Sequence, residues 1–109
     1  MPVLQVFVPA DDAVRERLAD CCAVVAEALG LPDDGVIATH VPVGATVRPG
    51  HEHPSWPVVV IHGTARDPQL MLRAREAVEG LARGWVATPD GAAAGEPWVT
   101  WQVRVPEQA

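Results

Sequence analysis

Lysine is absent from this chain, and so is tyrosine; there is a single phenylalanine, Phe7. All eight basic residues are arginine, set against fourteen Asp and Glu, for a formal charge of -6. An acidic chain without a basic run lacks the electrostatic footprint of a nucleic-acid or anionic-membrane binder. No apolar run is long enough to cross a bilayer. No basic stretch followed by an apolar one opens the sequence, so a secretory signal is not expected and the cytoplasm is the expected location. Only two cysteines occur, Cys21 and Cys22. They are adjacent in a predicted helix, where neighbouring side chains diverge, so no disulfide joins them. Nothing nearby would lower a thiol pKa. Cys21 reads as core, and Cys22 as partly core or interfacial.

What is present is apolar and periodic. At 109 residues and 49% hydrophobic composition, the chain has the size and core content of one domain, 1–109. Residues 3–8 read as a strand. Asp11 and Asp12 offer N-caps for a helix whose stripe is Val14, Leu18, Cys21, Val25 and Leu29. Gly30 is a natural C′ stop, and Pro32 prevents continuation. Residues 36–43 read as a second strand, with Pro42 marking an edge or a bulge. A Gly/Pro/His-rich loop follows over 44–57. Then the pattern returns. A strand runs over 57–63, and Asp67-Pro68 opens a helix with Asp at N-cap and Pro at N1. Its stripe is Leu70, Met71, Ala74, Val78 and Leu81, and Gly84 ends it. A last strand spans 98–105.

The return is a duplication, with pseudo-repeats 1–55 and 56–109. Pro2 matches Pro57, Asp11 matches Asp67, and Gly30 matches Gly84. Each β-α-β half supplies two parallel strands and a right-handed crossover helix. The expected fold is therefore α+β: a tandem β-α-β repeat forming a four-stranded mixed sheet with two helices on one face. The other face is left bare, and no third layer remains to cover it. Oligomerisation around a shared core is expected. A ferredoxin-like module has the same element order, so order alone does not separate the two folds.

Pro2 heads the first strand. Methionine before a small second residue is normally trimmed, which would leave Pro2 as a free secondary amine. A backbone α-amine titrates at about 7.7–8.0. An apolar surrounding lowers that value, and an amine poised near neutrality is an effective general base.

With these features the chain resembles the tautomerase superfamily, which includes 4-oxalocrotonate tautomerase and macrophage migration inhibitory factor. The residues that carry the resemblance are Met1-Pro2 directly before strand one, the β-α-β duplication, and Ile37-Ala38-Thr39-His40-Val41, which is similar to a strand of the migration factor. The resemblance spans nearly the whole chain, in the fused two-unit form. It implies a homotrimer with pockets at subunit boundaries. It also implies an N-terminal proline that moves a proton between carbon and oxygen of an enol or keto acid, and no metal or organic cofactor. Several of the family's positions differ here. Its basic residue early in helix one falls near Asp12, its strand-two arginine near Ile37, and the migration factor's lysine near Leu31. That factor's pocket tyrosine and asparagine fall near Val99 and Trp101.

The catalytic candidate is Pro2. Arg48, in the loop after strand two, and Arg66, just before helix two, are the candidates to bind a substrate carboxylate, because guanidinium grips carboxylate bidentately. Trp101 is the candidate apolar wall. Arg104 reads as a salt-bridge residue, and His40 and His62 as structural strand histidines. The expected activity is keto-enol proton transfer on a small carboxylate-bearing acid. Hydration or dehalogenation of an unsaturated acid is the chemical alternative, and a non-enzymatic oligomeric or ligand-binding homologue is the alternative of another class. His51-Glu52-His53 supplies only two histidines in a short span, and a catalytic zinc site needs at least three protein ligands. Purified protein is therefore expected to carry no stoichiometric zinc, iron or manganese. Elemental analysis approaching one metal per chain would move the active site to the His51–His53 loop.

Overall fold

The computed structural model describes residues 1–45, 47, 49–50, 57–85 and 97–104. The order is β1 (Val3–Val8), α1 (Val14–Leu29), β2 (Ile37–Pro42), β3 (Val58–Gly63), α2 (Pro68–Arg83) and β4 (Trp98–Val103). Side chains alternate across a strand, and the two inner strands use that alternation in the same way. Leu4, Val6 and Val8 of β1 are buried while Val3, Gln5 and Phe7 are half-buried. In β3, Val59, Ile61 and Gly63 are buried and Val58, Val60 and His62 are half-buried. Antiparallel pairing sets Leu4 against Ile61 and Val6 against Val59, so the buried rows share one face.

Each inner strand carries a parallel outer strand, which gives the order β2-β1-β3-β4. The two halves repeat the same contact. The Ile37 N–H donates to the Pro2 carbonyl (3.1 Å), and the Trp98 N–H donates to the Pro57 carbonyl (2.8 Å). The outer strands leave free edges. Pro42, at the end of β2, sits where a missing N–H is tolerated.

Both helices cover the buried rows. In α1, Cys21, Val25, Ala26 and Leu29 are buried, and Val14 and Leu18 pack against the same core. The left-handed backbone of Gly30 (φ 69°) ends this helix, with the Leu31 N–H donating to the Ala26 carbonyl at 2.8 Å. A side chain there would be strained, which is why glycine serves. At its start, α1 departs from the expected capping. Ala13 occupies the N-cap position, and the Asp11 carboxylate accepts from the Ala13 N–H (2.8 Å) one step earlier. In α2, Asp67 caps as expected, accepting from the Gln69 N–H at 2.8 Å, with Pro68 behind it. Ala74, Val78 and Ala82 are buried.

A clasp ties the start of α1 to the end of α2. The Arg17 guanidinium bonds Asp11 at 2.8 Å, stacks 5.8 Å from the Trp85 ring centroid and donates to the Trp85 carbonyl at 3.3 Å. No helix among the described residues is long and apolar enough to cross a membrane.

The opposite sheet face stays uncovered. It carries Val3, Phe7, Val58 and Val60 with Ile37 and Trp98, which are 49% and 59% exposed. Polar residues cross its middle: His62 Nε2 donates to Gln5 Oε1 at 2.7 Å, and the register places Thr39, Thr100 and Gln102 on the same face.

Gly63 is the tightest point of the helix-covered face. A Cβ there would lie 2.9 Å from Trp101 Cζ2. Gly63→Ala should therefore displace the indole and lower unfolding stability by about 1–3 kcal/mol. Urea denaturation followed by circular dichroism checks this, and an unchanged midpoint would mean that the ring yields freely.

Candidate active site

The polypeptide order brings the candidate residues to one end of the sheet. The N-terminal end of β1 lies against the C-terminal end of β3, with Val3 paired to His62. One further step of that register sets Pro2 across from Gly63. Pro2 is among the fully buried side chains, whereas Met1 before it is 71% exposed. Its carbonyl is held by the Ile37 N–H, so the strand head is fixed while the residue ahead of it stands in solvent.

Trp101 reaches the same end from β4. Its indole lies over Gly63, where the absent Cβ leaves room for the ring. Trp101 is half-buried, and its Nε1 is buried without a hydrogen-bond partner. Arg66 follows Gly63 by three residues, in the connection to α2. It too is half-buried, with a buried, unpartnered Nε. No ion pair among the described residues engages it. Pro2, Arg66 and Trp101 thus share a sheet end, but no hydrogen bond among the described residues joins them. Two grooves run along α2 and β4. Trp101 lines the larger, and Pro2 and Arg66 line neither.

Arg48, His51 and His53 lie outside the described residues. Among the described residues no three His, Cys, Asp or Glu gather as a metal site. His40 and His62 are both engaged, His40 Nε2 donating to the Val8 carbonyl at 2.9 Å and His62 to Gln5. Arg104 is exposed and falls one residue beyond β4, its N–H donating to the Gly63 carbonyl at 2.7 Å. Burial pushes the Cys21 thiol up to about 12, with Cys22 and Asp20 adding to the rise. Cys22 is also raised by burial. Burial thus disfavours the thiolate at both cysteines.

Reading the sequence alone missed Arg75. It is half-buried on α2, lines both grooves and has a buried, unpartnered Nε. Its signal was available, since Pro68, Leu72, Arg75 and Glu79 recur at i, i+4, i+7 and i+11. That stripe flanks the apolar one and faces the free edge of the sheet.

No family model and no curated protein matches the chain. Solved structures do. A native fused 4-OT is similar over 94% of this chain and 86% of its own, with a TM-score of 0.72 and 22% identity. A second fused 4-OT, described as a wild-type symmetric trimer, is similar over 94% and 85% of the two chains, with a TM-score of 0.71 and 15% identity. A macrophage migration inhibitory factor-like protein from Entamoeba histolytica is similar over 94% and 88%, with a TM-score of 0.73 and 12% identity. The shared architecture over nearly the whole chain makes this the tautomerase-superfamily fold, with two β-α-β units joined in one polypeptide.

Proposed function

We propose that the chain is a tautomerase-type enzyme that moves a proton between carbon and oxygen of a small enol or keto acid. The observation that carries this reading is the burial of Pro2 beneath an exposed Met1. Removal of Met1 would leave a secondary amine at a strand head packed among apolar side chains. Burial disfavours the ammonium form and lowers the amine's pKa toward neutrality. The neutral amine takes the proton α to a carbonyl. The electron pair of the broken C–H bond moves onto the carbonyl oxygen as an enolate. Positive charge must meet that oxygen, and Arg66 stands at this end of the sheet with donor capacity unspent. Arg48 is the second candidate. The protonated amine then returns its proton at oxygen or at the far carbon of the conjugated system. Trp101 supplies an apolar wall that excludes water. No cofactor enters these steps.

The assembly belongs to the same reading. The uncovered face carries Val3, Phe7, Val58 and Val60 with the exposed Ile37 and Trp98. We infer a homotrimer whose sheets share a core and whose neighbouring subunits complete the pocket. A similar fused 4-OT is a symmetric trimer, which supports this. Two of the superfamily's basic positions fall near Asp12 and Ile37 here, so in this reading another arginine anchors a substrate carboxylate; a different substrate and a lost activity are the alternatives.

Light scattering at micromolar concentration should return three times 11.6 kDa. A stable monomer would remove the shared-core assembly. Intact mass should lack Met1, and the protein should speed ketonisation of phenylenolpyruvate or 2-hydroxymuconate. Pro2→Ala should keep the oligomer and lose about a hundredfold or more of the rate. Arg66→Ala should raise KM more than it lowers kcat, as expected for an anchor that holds ground and transition states alike. Retained Met1, or equal rates for wild type and Pro2→Ala, would leave the non-enzymatic homologue as the reading.

A further inference from the structure

Along the free edge of the sheet, α2 and β4 enclose a groove of about 420 Å³. Pro68, Met71, Leu72, Trp101 and Val103 supply its apolar surface, and Arg75 and Thr100 its polar surface. Two donors on this groove have no acceptor: Arg75 Nε and Trp101 Nε1 are both buried and unpartnered. Leaving a buried donor unpaired is costly, and it is more costly when the group is charged. Glu79, one turn on, has its carboxylate 3.9 Å from Arg83, and Arg75 makes no ion pair among the described residues.

We propose that this groove binds a small amphipathic carboxylate. The carboxylate accepts from Arg75 and from the Trp101 N–H, and an apolar body lies along Met71, Leu72 and Val103. The chemistry of the walls selects this class. A bare inorganic anion would leave the apolar walls unused. A neutral hydrocarbon would leave both donors unpaired. A groove of several hundred Å³ suits a small molecule of this kind, and a guanidinium fork is matched to two carboxylate oxygens. Trp101 is shared with the proposed Pro2 site, but Pro2 and Arg66 line no part of the groove, so Arg75→Gln tests the groove without altering the residues of the proton transfer.

The probe is 3-phenylpropanoate, which has no enolisable keto group, titrated calorimetrically into the intact protein. Saturable binding is expected. Arg75→Gln should weaken it by about tenfold or more, the loss expected for a hydrogen bond to a charged group. The uncharged, similarly shaped 3-phenylpropanamide should bind more weakly by a similar factor. The Trp101 indole N–H resonance, assigned by its loss in Trp101→Phe, should move on binding. Arg73→Gln, an exposed arginine of the same helix that lines neither groove, should bind the probe as wild type does. Absence of saturation, equal binding by Arg75→Gln or by the amide, or an unmoved indole resonance would overturn the proposal. So would an Arg75→Gln protein that changes its oligomeric state while binding the probe as before, since the groove would then belong to a second copy of the chain.

Discussion

The antiparallel pairing of β1 with β3 is the constraint on which everything else in this molecule depends. Alternation along a strand has period two, so a slip of one residue would turn Leu4, Val6 and Val8 to the open face. The observed register instead stacks them with Val59 and Ile61 into one buried surface. Both helices need that surface, and each outer strand hydrogen-bonds to one inner strand. The same parity puts Pro2 and Gly63 on the covered side. It leaves Val3, Phe7, Val58 and Val60 on the other side, with nothing in the chain to meet them.

The two β-α-β units share a backbone plan and spend their polar groups differently. Arg17, in the first, is fully engaged by Asp11, the Trp85 ring and the Trp85 carbonyl. The second holds all three buried side-chain donors that lack partners among the described residues: Arg66, Arg75 and Trp101. A satisfied arginine fixes helices to one another, whereas an unsatisfied one is a place for something else to bind. The first unit thus supplies the strand head and the clasp, and the second supplies the open donors.

Much of the fold was legible because its signals are local and repeated. The stripe from Val14 to Leu29, the stop at Gly30 and the Asp67-Pro68 start each specify a helix boundary or face by short-range chemistry. The first helix start was less legible, because Asp11 bonds the Ala13 N–H from outside the helix and leaves Ala13 at the cap. The last strand stops at Val103, where the register with Gly63 ends; Arg104 lies past it, and residue 105 of the pattern lies outside the described residues. The site was less legible still. Arg66 could be found from its place before a capped helix. Arg75 could not be ranked above the other helical arginines without knowing that α2 lies beside a free strand edge. Trp101 could be named, but only the missing Cβ of Gly63 explains where its ring goes.

The matched strand heads have a further consequence. Pro2 and Pro57 are both buried, and their carbonyls each hold the first N–H of a parallel outer strand. Geometrically they are twins. Removal of Met1, as proposed, would make them differ chemically, because Pro57 follows Trp56 within the chain and its nitrogen stays a tertiary amide without basicity. Joining two units in one polypeptide would then silence one head covalently, without altering its shape. The second unit would be released from any need to keep a proton-transfer pocket around its proline. Its helix and outer strand can change side chains under a different selection, at no cost to whatever the first strand head does.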